Sequence, residues 1–318
     1  MTYSIRHMKD ASHQSHSFKD DVVRGLKRAP KKISPKHFYD KKGSELFDEI
    51  CELPEYYPTR TEMGILRQHS KTIRQLVGEN TCLLELGSGA SKKVRLLLDE
   101  INPKSYVAMD ISQEFLHYST EQLAKDYPHI SITAICADFS KHFDLPESVS
   151  VQNVLAFFPG SSIGNFEPKE AEQFLTFLRK KLGHGSALII GVDLKKNPEV
   201  LHKAYNDSQG VTAEFNKNLL HRMRRELDTD IHPKNFEHKA IYNQQQGRIE
   251  MHLVSAKDQR VNIEGEPIRF KEGESIHTEN SYKYSIDEFQ VLARSAGFSP
   301  QRVWSDLNQL FSVHYLTI

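Results

Sequence analysis

A doubly wound α/β fold carrying a second, smaller domain is what this sequence predicts, and three observations predict it. Between Cys82 and Asp193, near-continuous apolar runs of strand length alternate with helical periodicity, the pattern of a parallel sheet covered on both faces. The first run opens into a loop with two glycines, Gly87 and Gly89. The rhythm breaks after Asp193 and returns only near the C-terminus, as an insertion would make it do.

In chain order, residues 1–17 are polar and read as a mobile tail. His13 and His16 have HxxH spacing, but a solvated tail is a plainer reading than a metal site. From Ser44, the side chains of Leu46, Phe47, Ile50 and Cys51 fall on one helical face, and Pro54 stops that helix. Thr59 to Glu62 reads as a capping box for a helix carrying Met63, Leu66 and Ile73. Five strands are expected next, ending at Gly87, Asp110, Asp138, Gly160 and Asp193. Helices fall between them: one over about 91–101, one burying Phe115, Leu116 and Leu123, and one opened by Glu167-Pro168 with proline at its first position. Residues 197–228 read as helical, with Val211, Phe215, Leu219 and Met223 at i, i+4 spacing. Residues 236–284 read as strands, with a hairpin turn at Gln244 to Gly247. Ser285 to Glu288 is a second capping box, its helix ends at Gly297, and two strands close the chain. The expected division is therefore 61–196 with 285–318, against 18–60 with 197–284.

Composition narrows the function. Lys plus Arg number 42, as do Asp plus Glu, in 318 residues, so the formal net charge is zero. A generic nucleic-acid binder would carry an excess of basic residues. Cys51, Cys82 and Cys136 form no CxxC pair and read as buried thiols of a reducing compartment. No apolar run reaches the ~20 residues of a membrane span, and the N-terminus lacks the apolar core of a secretory signal. A cytoplasmic location is the expectation.

The loop after the first strand reads Glu85-Leu86-Gly87-Ser88-Gly89. Glycines there let backbone approach a ligand outside the carboxyl ends of the strands. A dinucleotide fold would want a third glycine at position 92, where Lys92 stands, and there is no Walker A pattern. E/D-x-G-x-G is instead the pattern of class I S-adenosylmethionine-dependent methyltransferases, whose core is a Rossmann-like doubly wound sheet. Such enzymes usually place an acid for the ribose hydroxyls after the second strand, where Asp110 stands. They often place a polar residue near the adenine after the third, where Asp138 stands beside Phe139, a ring able to stack on the base. With Glu85, Ser88 and Lys93 of the same loop, these residues form the expected cofactor set. The plainer alternative is that Asp110 and Asp138 only cap the helices that follow.

Two further stretches are more specific: Phe38 to Glu62, reading FYDKKGSELFDEICELPEYYPTRTE, and the loop GSSIGNFEP from Gly160 to Pro168. Together with LELGSGASKK they resemble the L-histidine Nα-methyltransferases of ergothioneine biosynthesis, over about residues 18–318. The resemblance implies a class I methyltransferase domain plus an α+β substrate-binding domain made from the N-terminal segment and the insertion. It implies that S-adenosylmethionine donates three methyl groups to the α-amino nitrogen of L-histidine, through its mono- and dimethyl forms, to give hercynine, with no metal. It further implies that Tyr56, Asn165 and Tyr205 hold the amino and carboxylate groups. Tyr39 would stand near the methylated nitrogen as the catalytic candidate, Phe47 in the pocket wall, and Met251 against the ring. Glu279 and Ser281 would read the imidazole. Ser162 stands where the family often has threonine, which keeps a hydroxyl. A monomer is implied.

The residue types suit that substrate. Residues two apart in a strand share a face, so Glu279 and Ser281 would reach one pocket. A neutral imidazole offers one donor and one acceptor, which a carboxylate and a hydroxyl can satisfy. Indole or phenyl would leave buried polar groups unpaired, at about 1–3 kcal/mol each. Three rivals remain at this level: the same fold methylating another amine such as a tryptophan derivative, a non-catalytic S-adenosylmethionine-binding protein, and an NAD-dependent dehydrogenase. Glu279, Ser281 and Met251 weigh against the first, the presence of Tyr56, Asn165 and Tyr205 against the second, and Lys92 against the third.

Overall fold

A computed structural model describes residues 8–10, 17–78, 80–141, 143–145 and 153–318. In chain order the elements begin β1 (Met8–Asp10), α1 (Phe18–Lys27), β2 (Lys31–Lys32), α2 (Lys41–Glu52) and α3 (Tyr57–Val77). The α/β rhythm follows as β3 (Cys82–Leu86), α4 (Val94–Ile101), β4 (Ser105–Asp110), α5 (Gln113–Asp126), β5 (Ser131–Cys136), β6 (Val154–Phe158), α6 (Pro168–Leu182) and β7 (Ala187–Asp193). Then come α7 (Pro198–Tyr205), α8 (Val211–Glu226), β8 (Phe236–Asn243), β9 (Arg248–Ser255), β10 (Gln259–Ile263), β11 (Glu266–Phe270) and β12 (Ser275–Tyr282). The chain closes with α9 (Ile286–Ser295), β13 (Ser299–Ser305) and β14 (Phe311–Thr317).

These elements form two compact units. The first holds Pro58–Lys196 and Tyr282–Ile318, with β1. Its sheet has the order β1-β5-β4-β3-β6-β7-β14-β13. Strands β3 to β7 run parallel to one another, and β14 pairs antiparallel with β7 and with β13. Every residue of β3, β6 and β7 is buried, which is why these strands read as unbroken apolar runs rather than as alternations. Two cores cover the two faces: one gathers Leu84, Phe158, Leu175, Leu178 and Phe289, the other Leu66, Leu83, Leu97, Phe157 and Phe311. Capping sets the helix starts. Pro168 opens α6 behind a reciprocal Glu167–Glu170 box, and Ser285–Glu288 does the same for α9. Strand order reverses between β3 and β6, so a crevice opens at the carboxyl end of β3.

The second unit runs from α1 to Tyr57 and over Asn197–Ser281. It has a sheet of order β2-β12-β9-β8 and a separate β10-β11 hairpin. The turn between β8 and β9 spans Gln244–Gly247 with Gly247 at φ 67°. Helix α8 carries Phe215, Leu219 and Met223 buried at i, i+4 spacing.

Several sequence expectations need correction. Thr59–Glu62 lies inside α3, which starts at Tyr57, so it caps nothing, and Glu62 is buried. Part of the N-terminal stretch expected as a mobile tail is ordered: Met8–Asp10 pair parallel with Ala134–Cys136, because the outer edge of β5 offers unpaired backbone groups. The HxxH pair His13 and His16 lies outside the described residues. Ser17 is also structured, its hydroxyl accepting from the Asp20 amide at the start of α1. Cys51 is half-buried, unlike Cys82 and Cys136. The unit boundaries fall at 57/58, 196/197 and 281/282, against the expected 60/61, 196/197 and 284/285.

Candidate active-site residues

In the first unit the crevice is shaped by backbone. Gly87 and Gly89 take left-handed φ of 72° and 49°. The Gly87 and Ser88 amides both donate to Met109 O, at 2.8 and 3.1 Å, which folds the loop over the end of β4. Asp110 fixes it from below, accepting from the Gly89 amide and the Ser112 amide at 2.9 Å each. Burial raises the Asp110 carboxyl above its ordinary range, and the amides offset only part of that. The plainer reading of Asp110 is thus partly right: it organises the turn before α5, whose N-cap is Ser112. A cofactor can still meet this loop. The Ser88 hydroxyl is buried with no hydrogen-bond partner, and a Cβ at Gly89 would meet nothing within 4 Å. An orphaned donor beside open backbone is what a bound nucleoside would satisfy.

The remaining members of that set lie around it. Phe139 packs edge-on to Phe158 at 5.3 Å, and its ring passes 3.4 Å from where a Gly87 Cβ would sit. Asp138 accepts from the Ser140 amide at 3.1 Å and from its hydroxyl. Glu85 points beneath the loop, where the Tyr106 hydroxyl donates to it; burial pushes its carboxyl up to about 8. Lys93 reaches Glu62, with Nζ 2.6 Å from Oε2.

The loop after β6 belongs to the same unit. Ser161 is left-handed at φ 57°, and its hydroxyl accepts from the Asp193 amide at 2.9 Å. Ser162 spends its hydroxyl on Pro159 O at 3.0 Å, so it shapes the loop. Asn165 ends the 3-10 turn Ser162–Asn165 half-buried.

The second unit gathers the other expected residues into an aromatic lattice. Tyr39 lies edge-on to Phe47 at 5.7 Å, Phe47 to Tyr56 at 6.3 Å, and Tyr56 to Tyr205 at 6.2 Å. The Tyr205 hydroxyl donates to Ser281 Oγ at 2.8 Å. Glu279 and Ser281 stand on β12, 8 % and 4 % exposed. Burial holds the Tyr56 hydroxyl far above its ordinary range, with Tyr205, Cys51, Tyr39 and Glu279 adding to the effect. Met251 is buried in β9, the neighbour of β12, with its carbonyl accepting from Thr278.

Local contacts hold this lattice in place. Asp40 accepts from the Gly43 amide at 2.7 Å to start α2 and from Asn218 of α8 at 2.8 Å, which fixes Tyr39 beside both helices. Only glycine fits at 43, because a Cβ there would lie 1.7 Å from Phe38 O. Glu55 holds Ser208 through its amide and hydroxyl at 3.2 and 2.7 Å, tying the segment of Tyr56 to the end of α7. Asn197 caps α7, and His238 donates to Tyr205 O at 3.0 Å.

Two residues were not foreseen as site residues. Phe215 touches Tyr39 and Phe47 at 5.8 and 6.0 Å, although its i, i+4 stripe reads as core. Glu62 was taken for a cap; the missed signal is a carboxylate on the helical face of Leu66 and Ile73. Among the described residues, Glu250, His252 and His277 bring potential metal ligands within 4.8 Å of one another. Their geometry is that of a hydrogen-bonded network. Arg248 and Asn243 donate to Glu250 at 2.8 and 3.0 Å, His252 Nε2 lies 3.2 Å from Glu250 Oε2, His277 donates to Glu279 O, and the two imidazoles stack with 22° between their planes. No helix among the described residues is long and apolar enough to cross a membrane.

Comparison with known proteins adds the following. A family model described as histidine-specific methyltransferase, SAM-dependent, matches residues 18–318. A histidine N-alpha-methyltransferase of Mycolicibacterium smegmatis is 39% identical over 96% of this chain and 96% of its own length. One from Mycobacterium tuberculosis is 39% identical over 94% and 93%. Ergothioneine biosynthesis protein 1 of Neurospora crassa is 30% identical over 91% of this chain, which matches 33% of that longer protein.

Proposed function

This chain belongs to the S-adenosylmethionine-dependent, histidine-specific methyltransferase family, and on that premise we propose that it transfers three methyl groups to the α-amino nitrogen of L-histidine to give hercynine. The observation that carries the substrate reading is the buried Glu279–Ser281 pair, with Ser281 accepting from Tyr205 at the end of the aromatic lattice. A hydroxyl that accepts one hydrogen bond is polarised to donate the next. Ser281 therefore donates to one imidazole nitrogen while Glu279 accepts from the other.

When bound, S-adenosylmethionine supplies a methyl group already activated on a positively charged sulfur. The chain's part is to hold and orient. Gly87, Ser88 and Gly89 would receive the donor against backbone, Asp110 and Asp138 would meet its polar edges, Phe139 its base, and Lys93 its carboxylate. In the second unit, Tyr56 and Tyr205 would hold the substrate's amino-acid end. A Tyr56 hydroxyl that resists ionisation stays a donor across the working pH range, which suits a carboxylate partner. The α-ammonium group must release a proton before its nitrogen can attack, and Tyr39 positions that nitrogen. Rate then comes mainly from alignment of the reacting atoms. The faces of Tyr39, Phe47 and Phe215 favour a nitrogen that grows bulkier and permanently cationic, since cations are attracted to ring faces. The reading is of a monomeric, cytoplasmic, metal-independent enzyme acting on a free amino acid; the zero net charge supports the absence of a polyanionic substrate.

Calorimetry with L-histidine, its dimethyl form and L-tryptophan, each with S-adenosylhomocysteine present, tests the reading. Binding confined to the histidine series supports it. Binding of tryptophan in place of histidine would move the function to another amine and remove the imidazole roles of Glu279 and Ser281.

A further inference from the structure

We propose that Glu62 is a positioning residue that couples the cofactor loop to the loop carrying Asn165. The inference rests on the methyltransferase reading and extends it to a residue outside the expected donor and substrate sets. Glu62 is 0 % exposed. Its Oε2 lies 2.6 Å from Lys93 Nζ, and the Gly160 amide donates to Oε1 and Oε2 at 3.1 and 2.9 Å. Lys93 closes the glycine loop that follows β3, and Gly160 starts the loop that follows β6 and ends at Asn165. One carboxylate from α3 thus joins the two loops on either side of the point where strand order reverses.

The surroundings are built for this contact. Gly191 of β7 faces Glu62: a Cβ there would lie 2.0 Å from Oε1, so any side chain would displace the carboxylate. Gly160 is left-handed at φ 77°, and a Cβ on it would come 3.3 Å from Lys93 Nζ. Removing a carboxylate from water is costly unless a counter-charge and further hydrogen bonds meet it, and Lys93 and Gly160 supply these.

The consequence is a link between the two ligands. A donor carboxylate held by Lys93 would compete with Glu62 for the same ammonium group, and the Gly160 amide bonded to Glu62 would respond. Donor binding then alters the posture of the loop that offers Asn165 to the substrate. Linkage requires the effect to be mutual: histidine improves donor affinity by the same factor that donor improves histidine affinity.

The test uses the full-length enzyme and the variants Glu62→Gln, Glu62→Asp and Gly191→Ala. The last pushes the carboxylate aside without altering its charge, and it serves should Glu62→Gln fold poorly. Calorimetry gives the affinity for S-adenosylhomocysteine and the affinity for histidine with and without it; turnover gives KM and kcat; thermal melting without ligand gives stability. Glu62→Gln and Gly191→Ala are expected to weaken S-adenosylhomocysteine about tenfold and to shrink the factor linking the two ligands toward one, with KM for the donor rising more than kcat falls. Glu62→Asp is expected to retain part of both. Unchanged donor affinity and linkage in the folded variants, or a lowered melting temperature with intact binding constants, would overturn the proposal and leave Glu62 a structural ion pair. Failure of the wild-type enzyme to bind histidine would refute the substrate reading instead, while the S-adenosylhomocysteine arm still decides the role of Glu62.

Discussion

Replacing Tyr205 with phenylalanine removes one oxygen and little else. That oxygen donates to Ser281 Oγ at 2.8 Å, and both residues are buried. Depriving a buried polar group of a hydrogen bond costs up to about 1–3 kcal/mol. At about 1.4 kcal/mol per factor of ten, the span is roughly 5- to 150-fold in an equilibrium constant. Part of that cost falls on the stability of the free protein, so histidine affinity should fall by about tenfold, near the low middle of the range. Calorimetry with S-adenosylhomocysteine present measures this directly, and Ser281→Ala and the double variant complete a cycle. If Tyr205 works through Ser281, the double variant costs little more than the worse single one, with a coupling of about 1 kcal/mol. Additivity within about 0.5 kcal/mol would refute the relay and leave Tyr205 and Ser281 as independent contacts.

Other outcomes follow from the same structure. Gly87→Ala places a Cβ at φ 72°, 3.4 Å from the Phe139 ring, a backbone conformation that costs an L-residue about 1–2 kcal/mol; S-adenosylhomocysteine affinity should drop about tenfold in calorimetry, and an unchanged value would mean the loop does not meet the donor. Burial pushes the Glu85 carboxyl from 4.5 up to about 8, so its proton stabilises the native state fully below the lower value, and that stability is lost as pH rises through the upper one. Glu85→Gln should therefore flatten the fall of melting temperature with rising pH across that window; parallel wild-type and variant curves would contradict it. On the acid side, burial lowers His37 and His277 from 6.5 to about 4 and His314 to about 3. Their stabilisation is present above 6.5 and lost as pH falls toward those values. His314→Gln should soften the acid limb of the melting curve, and an unaltered limb would remove His314 from that account.

How far the sequence speaks depends on what each residue must do. The strands from Cys82 to Asp193 were legible because a buried parallel strand has to be apolar on both faces. Proline and capping chemistry marked α6 and α9 because those signals act within four residues. Glu62 was misread for the same reason. T-x-x-E satisfies the local pattern, yet its partners, Lys93 and Gly160, are distant in sequence and invisible to any local rule. Strand β1 was missed because its pairing with β5 depends on backbone geometry at a sheet edge, and three residues are too few to show a strand pattern in sequence. Among the candidate site residues, Glu279 and Ser281 came from the family resemblance, because a period of two along β12 says only that they share a face, whereas Phe215 was hidden within an ordinary core stripe.

The most direct test of the central claim is a turnover assay with purified enzyme, L-histidine and S-adenosylmethionine, read by mass spectrometry. The account predicts products carrying one, two and then three added methyl groups, ending at the trimethylated betaine with the α-nitrogen modified and the imidazole unchanged. Methyl groups on the ring nitrogens, a series that stops after one addition, or no transfer to histidine at all would contradict it.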